Sequence, residues 1–255
     1  MTTTAIIMAG GRSERMRKSG ERTHKALLDV AGLTMLEWNM RGVFWHGFKN
    51  VVVVSSAAEL QIKDFVEDRG RELALEFGAR IESLVETIPL GNVGIARELA
   101  TRADAMLIVY VDNLTTLDLT ALRARHYRQQ PLITVAVHEE IFRMPYGEVT
   151  LAGDQITRYA EKPERKSLVS SGTYVLSPRV CEFIARARPT NIADLVANTL
   201  QAGERVEAFY HDDAWVDVND RVDLGRAEAM ILSNRERFEF LATRMHDTAG
   251  ARHSP

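Results

Sequence analysis

Ile6-Ile7-Met8-Ala9-Gly10-Gly11-Arg12-Ser13-Glu14-Arg15-Met16 runs from a strand-length apolar segment through two glycines into a basic loop. Glycine lets backbone N–H groups approach an anion closely. Arg12, Arg15, Arg17, Lys18, Arg22 and Lys25 follow in the same stretch. The pattern reads as a phosphate-binding turn at the end of a first strand. It is neither the Gly-x-Gly-x-x-Gly dinucleotide fingerprint nor a P-loop. Taken alone, two glycines and scattered cations describe a solvated surface loop equally well.

Outward from this turn, short apolar runs alternate with helix-length amphipathic segments. Ala5–Met8, Asn50–Val54, Arg80–Val85, Ala105–Val111 and Leu132–His138 read as strands. Segments 34–44, 57–76, 94–103 and 117–129 read as the intervening helices. Strands that alternate with helices predict a mostly parallel sheet covered on both faces. After His138 the pattern changes. Glu148–Leu151, Gln155–Ala160 and Ser171–Leu176 are short strands separated by turns, read as antiparallel or mixed additions to the same sheet. Helices follow at 178–187, 191–201 and 221–235, the last running on towards Leu241, with late strands at 205–210 and 214–218. Asp220 is placed as the N-cap of the final helix.

Composition narrows the class. The 255 residues are 45% hydrophobic and 26% charged with a net charge of −3, which suits a globular chain and disfavours a nucleic-acid partner. A lone cysteine, Cys181, excludes an intramolecular disulfide framework and a zinc site of clustered thiolates. No apolar run reaches the roughly 20 residues of a membrane span, and the polar start, without a basic segment and a long apolar one, leads to the expectation of no signal peptide. The expectations are a cytoplasmic protein with no membrane partner. A single domain is expected over residues 1–245, with halves at 1–138 and 139–232, and a disordered tail at 246–255.

Six segments in order carry a resemblance. Ala9-Gly10-Gly11-x-x-x-Arg15-Met16, followed by Lys25-Ala26-Leu27-Leu28, resembles the signature of the sugar-phosphate nucleotidylyltransferases, or NDP-sugar pyrophosphorylases. Glu86-Thr87-Ile88-Pro89-Leu90-Gly91-Asn92-Val93-Gly94 resembles the family's Pro-Leu-Gly-Thr-Ala-Gly base-binding loop. Tyr110-Val111-Asp112-Asn113 stands where the family has a Gly-Asp metal site. Tyr146-Gly147-Glu148-Val149 and Glu161-Lys162-Pro163 resemble the sugar-site pair. Ser170-Ser171-Gly172-Thr173-Tyr174 stands at Asn-Ala-Gly-Ile-Tyr, and Trp215-Val216-Asp217 at the late Trp-x-Asp.

The resemblance implies an α/β, Rossmann-like (GT-A-like), mostly parallel mixed sheet with a small β-rich sugar-binding lobe. It implies transfer of a nucleoside monophosphate from an NTP to a sugar 1-phosphate with release of pyrophosphate. The nucleophile is already an anion, so charge neutralisation and alignment are needed rather than a general base. Arg15 would hold the leaving phosphates, Lys25 the α-phosphate and Lys162 the incoming sugar phosphate. Ala9, Gly10, Gly11, Pro89, Gly91 and Asp112 would line the nucleotide. Gly147, Glu161 and Gly172 would contact the sugar. Mg²⁺ would be held by Asp112 and Asp217, because it favours carboxylates combined with substrate phosphates and water.

Some positions depart from the family pattern. His24 stands where proline is usual, Val111 where glycine is usual, and Ser170-Ser171 where Asn-Ala is usual. A valine at 111 is expected to crowd the acceptor side, which suggests an unusual acceptor. The Pro89-Leu90-Gly91 form is most like guanylyl-transferring members and favours GTP. The alternatives are a non-sugar or cyclitol phosphate acceptor, or a silent relative that binds NDP-sugar and regulates a partner. Asp112-Asn113-Leu114 lacks the Asp-x-Asp of a metal-dependent glycosyltransferase. Phe238–Leu241 would pack on a second copy or on the chain's own core.

Overall fold

The structure is a computed structural model that describes residues 2–11 and 23–242. Thirteen strands, numbered along the chain, lie among the described residues. The main sheet contains β1 (Thr3–Met8), β4 (Asn50–Ser56), β5 (Arg80–Glu86), β6 (Ala105–Tyr110), β8 (Ile133–Arg143), β11 (Glu164–Leu176) and β12 (Val206–Tyr210). Its order is β12-β8-β11-β6-β1-β4-β5. Neighbouring pairs are parallel except where β11 meets β6 and β8. The expected mostly parallel mixed sheet is therefore found.

Alternation along the central strands feeds two cores. Ala5 and Ile7, Val51 and Val53, and Leu107 and Val109 pack on one face with Leu36, Met40, Phe44, Ile62 and Leu73. Ile6 and Met8, Val52 and Val54, and Met106 and Ile108 pack on the other with Ile95, Leu99, Val180 and Leu195. Period-two side chains on strands buried from both sides need helices on both faces, and the helices supply them. One is Met35–Trp45, capped by the Thr34 hydroxyl, which accepts from the Glu37 N–H at 3.1 Å. Another is Leu119–Gln129, capped by the Asp118 carboxylate, which accepts from the N–H groups of Thr120 and Ala121. Asp220 caps Arg221–Ser233 in the same way, as expected.

A buried ionic knot ties the first of these helices down. Arg41, fully buried, donates to Glu37 at 2.8 Å, and Arg69 reaches the same carboxylate at 3.0 Å. Arg69 belongs to the segment 57–76, which is helical from Leu60 to Glu76 with a π-helical turn at Val66–Gly70. Gly70 lies at that irregularity, which is where a single extra residue is accommodated in a helix.

Several expectations need correction. β9 (Glu148–Ala152) and β10 (Gln155–Ala160) pair with each other in a two-stranded sheet and do not join the main one. β8 and β11 are longer than expected, because both continue beyond the sheet and pair from Glu164↔Arg143 to Ser170↔Val137. These extensions and the β9–β10 hairpin form the β-rich lobe. Segment 178–187 contains only a short 3-10 turn, Pro178–Glu182. The last helix breaks at Asn234, and a second helix, Arg235–Ala242, follows. β13 (Trp215–Asp217) pairs with β7 (Asn113–Thr115), a strand too short to show a period. The hairpin of β2 (Asp29–Val30) and β3 (Leu33–Thr34) was likewise invisible in the sequence pattern. Residues 246–255 lie outside the described residues.

Candidate active site

The parallel strands end together. Met8 is in register with both Val54 and Tyr110, and Ser56 with Glu86. The segments that follow these carboxyl ends surround a cleft of about 850 Å³. Ligands of open α/β sheets bind outside the carboxyl ends of the strands, where no side-chain layer fills the space. Gly10, Gly11, Lys25, Pro89, Gly91 and Asp112 all line it. Ala9 lies just behind. It is fully buried, and its N–H donates to the Val54 carbonyl at 2.7 Å, which fixes where the glycines begin. Arg15 lies outside the described residues.

Two loops frame the far end of the cleft. Gly91 has φ +82°, and a Cβ there would lie 2.5 Å from the Thr190 carbonyl oxygen. The backbone N–H of Thr190 donates to the Leu90 carbonyl at 2.8 Å, so the loop before the helix Ile192–Gln201 clamps the Pro89–Gly91 turn. Glycine here is a requirement of both conformation and clearance.

At the near end, Lys25 Nζ forms an ion pair with Asp112 Oδ2. His24 positions that lysine. Its Nδ1 accepts from the Ala26 N–H at 3.1 Å, so Nε2 carries the proton and donates to the Gly11 carbonyl at 2.6 Å. A neutral imidazole, fully buried, thus ties Gly11 to the 3-10 turn Lys25–Leu27. Proline could supply the turn but not the bond to Gly11.

Asp217 reaches the same place through the β7–β13 pair. It stands opposite Asn113, and the Val218 N–H donates to the Asp112 carbonyl at 2.9 Å. Burial raises the Asp217 pKa first, and the Asp112 charge raises it further; the Asn219 amide and Lys25 oppose the shift. Of the aspartates near it in the chain, Asp213 pairs with Arg237 at 2.9 Å, and Asp220 caps a helix. Two carboxylates held near each other, one resisting ionisation, make a hard oxygen donor set that suits Mg²⁺.

The remaining expected residues do not line this cleft. Gly147, Glu161 and Lys162 are exposed in the β-rich lobe. The hairpin brings the first two together: Tyr159 packs against Gly147, and its hydroxyl donates to Glu161 at 2.9 Å. Lys162 has φ +44°, a left-handed turn between β10 and β11. Gly172 is different. It sits in the irregularity of β11 between Ser170 and Tyr174 with φ +69°, and a Cβ would overlap the Asn113 amide beside Asp112. Ser171 anchors that irregularity. Its hydroxyl contacts His138 Nδ1 at 2.8 Å and His211 Nε2 at 2.6 Å, and Trp215 Nε1 donates to its carbonyl at 2.8 Å. Burial lowers the His211 pKa, with His138 adding to the effect and Asp213 opposing it.

Val111 is 2% exposed, packs in the core and is also one of the residues that line the cleft, next to Asp112. Its carbonyl accepts from the Asn39 amide at 3.1 Å.

A profile of the nucleotidyl transferase family matches residues 4–234. The chain belongs to that family. N-acetylmuramate alpha-1-phosphate uridylyltransferase of Neisseria meningitidis serogroup B is 28% identical over 89% of this nucleotidyl transferase and 97% of that protein. Mannose-1-phosphate guanyltransferase of Yarrowia lipolytica is 24% identical over 90% of this chain and 64% of that protein. The solved structure of HddC from Yersinia pseudotuberculosis has a TM-score of 0.66 at 18% identity, covering 89% of this chain and 98% of that one, a likeness of fold.

Sequence reasoning overlooked three cleft residues of this nucleotidyl transferase. Glu59 carries no spacing signal. Tyr110 and Glu86 each stand within a quoted motif but were given no role. The Tyr110 hydroxyl is buried and has no hydrogen-bond partner among the described residues. Its pKa is pushed well up by burial, with Tyr174 and Asp112 adding to the shift, so it is a neutral phenol.

Proposed function

We propose that this nucleotidyl transferase moves a nucleoside monophosphate from an NTP, GTP being favoured, to a sugar 1-phosphate and releases pyrophosphate. The observation that carries this reading is the Lys25–Asp112 pair at the mouth of a glycine-lined cleft. A sugar-phosphate oxygen forms a bond to the α-phosphorus while the bond to the bridging oxygen of pyrophosphate breaks. No proton need move. Two anions must approach in line, and charge must be balanced while they do.

Gly10 and Gly11 offer backbone to the phosphates, and Lys25 turns from Asp112 to the α-phosphate when the substrate supplies a stronger anionic partner. Asp112 and Asp217 would hold Mg²⁺, which when bound supplies charge neutralisation for the phosphates. Arg15 takes the leaving phosphates on the strength of the motif alone. Gly147, Glu161, Lys162 and Gly172 serve the sugar phosphate. Gly172 lies beside Asn113, whereas Gly147, Glu161 and Lys162 lie in the lobe outside the lining of the cleft, so substrate must bridge the two. The Pro89-Leu90-Gly91 turn supports guanylyl transfer. The names of the uridylyl- and guanylyl-transferring relatives support the shared reaction without selecting a base.

The test is pyrophosphate release with Mg²⁺, each of five NTPs and a pool of sugar 1-phosphates. Release that requires one NTP and the pool together is expected. Lys25→Ala should lower it by roughly a hundredfold to a thousandfold, the usual loss for one transition-state charge contact. Release that is insensitive to Lys25→Ala would refute the assignment.

A further inference from the structure

We infer that Ser171, with His138 and His211, forms a positioning relay that holds the acceptor side of the site. The inference rests on the reading above that Gly172 serves the sugar phosphate. Between the pairs Ser170↔Val137 and Tyr174↔Val135, β11 places three residues, Ser171 to Thr173, opposite the single residue Ala136 of β8. This irregularity is where β11 passes from the lobe into the main sheet, and Gly172 stands at its centre with φ +69°. Extra residues in a strand lose their ladder partners, so their conformation must be fixed by other bonds.

Ser171 is fully buried, and its surroundings decide where each proton sits. A carboxylate only accepts, so His138 Nε2 carries a proton and donates it to Glu140 at 3.2 Å. The Nδ1 of the neutral His138 ring then accepts from the Ser171 hydroxyl at 2.8 Å. That hydroxyl has one proton, so its oxygen accepts in turn from His211 Nε2–H at 2.6 Å. The cost falls on His211 Nδ1, which is buried with no hydrogen-bond partner among the described residues and lies 3.8 Å from Asp213 Oδ2. Filling space would not require an imidazole with an unmatched nitrogen; directing a hydrogen bond onto Ser171 does. The relay also reaches the metal side. The Trp215 ring lies 4.6 Å from that of His138, and its indole N–H donates to the Ser171 carbonyl at 2.8 Å. Trp215 belongs to the same β13–β7 pair that sets Asp217 opposite Asn113. Glu140 anchors the relay in the lobe, and Asp213, held by Arg237 at 2.9 Å, anchors its other end. The Gly172 turn is therefore fixed between the lobe strand and the strand that carries Asp217.

The experiment is steady-state kinetics of the full chain with Mg²⁺, the NTP and the sugar 1-phosphate that the wild type uses, with thermal melting as the check on folding. It is run at about pH 8, above the ordinary imidazole range. Ser171→Ala should raise the acceptor KM roughly tenfold to a hundredfold, the cost of misplacing a substrate contact by about 1 Å, and leave the NTP KM within about twofold. His138→Asn keeps an acceptor in the place of Nδ1, and His211→Gln keeps a donor in the place of Nε2. Both should hold the acceptor KM near the wild-type value, whereas His138→Leu and His211→Leu should raise it as Ser171→Ala does. A merely structural role would move both KM values together, or leave the Asn and Gln variants as poor as the Leu ones; either result overturns the inference. Nitrogen-15 NMR of the imidazoles tests the relay apart from turnover. Both rings should be Nε2–H tautomers, and an Nδ1–H tautomer at either ring overturns it. The expected tautomers in a wild type that binds NTP and releases no pyrophosphate would overturn the transfer reaction instead.

Discussion

Replacing Gly91 by alanine perturbs stability and nucleotide binding through one loop contact, and its size follows from the geometry. The residue has φ +82°, where an L side chain costs about 1–2 kcal/mol. The added methyl would also lie 2.5 Å from the Thr190 oxygen and 2.8 Å from the Thr190 nitrogen, both backbone atoms that no rotamer change can move. Overpacking of this kind costs about 1–3 kcal/mol. The sum is about 2–5 kcal/mol, a fall in Tm on the order of 10 °C for a chain of this size. Gly153→Ala isolates the first part, because Gly153 has φ +60° and nothing within 4 Å of the added carbon. Relief of the clash must separate Thr190 from Leu90, whose 2.8 Å bond shapes the cleft wall, so KM for the NTP should rise more than KM for the acceptor. Urea unfolding of both variants, with steady-state kinetics, measures these effects. If Gly91→Ala costs no more than Gly153→Ala, the loop clamp is not what fixes the cleft.

Other outcomes follow from the same structure. Glu37→Gln leaves the fully buried Arg41 without its carboxylate and should cost about 3–5 kcal/mol in urea unfolding, with Arg41→Met costing less because Glu37 keeps Arg69. His126 is buried against Thr134 and Ser177, and burial pulls its pKa down to about 4. The unfolded chain takes that proton near pH 6.5 and the folded chain does not, so stability should fall as pH drops from about 6.5 to 4, by up to about 3 kcal/mol. His126→Gln should flatten that slope in a pH series of unfolding midpoints. Chelation with EDTA should abolish turnover and Mg²⁺ restore it. Asp112→Asn and Asp217→Asn should each raise the Mg²⁺ concentration needed for half-maximal rate, and an unchanged Mg²⁺ requirement in both would remove them from the metal site.

The strand-by-strand apolar runs, the helix cap at Asp220 and the ordered motifs were all legible in the sequence. They depend on local rules: side chains alternate along a strand, a hydroxyl or carboxylate caps the turn that follows it, and glycine occupies close approaches. These rules gave the parallel order of elements; the resemblance carried by the ordered motifs pointed to the family and to Gly10, Gly11, Lys25, Pro89, Gly91 and Asp112, all of which line the cleft.

What only the folded chain decided was long-range pairing. Nothing local told Asp217 from Asp213; the β7–β13 pair and an Arg237 bridge did. Nothing local said that β9 and β10 would leave the main sheet, or that His24 would bond Gly11. Ser171 stood in a quoted motif, but its contact with two histidines exists only where β8, β11 and the segment after β12 meet. Periodicity reports which face of an element is apolar. It does not report which distant residue will stand opposite, because that is set by packing whole elements against one another.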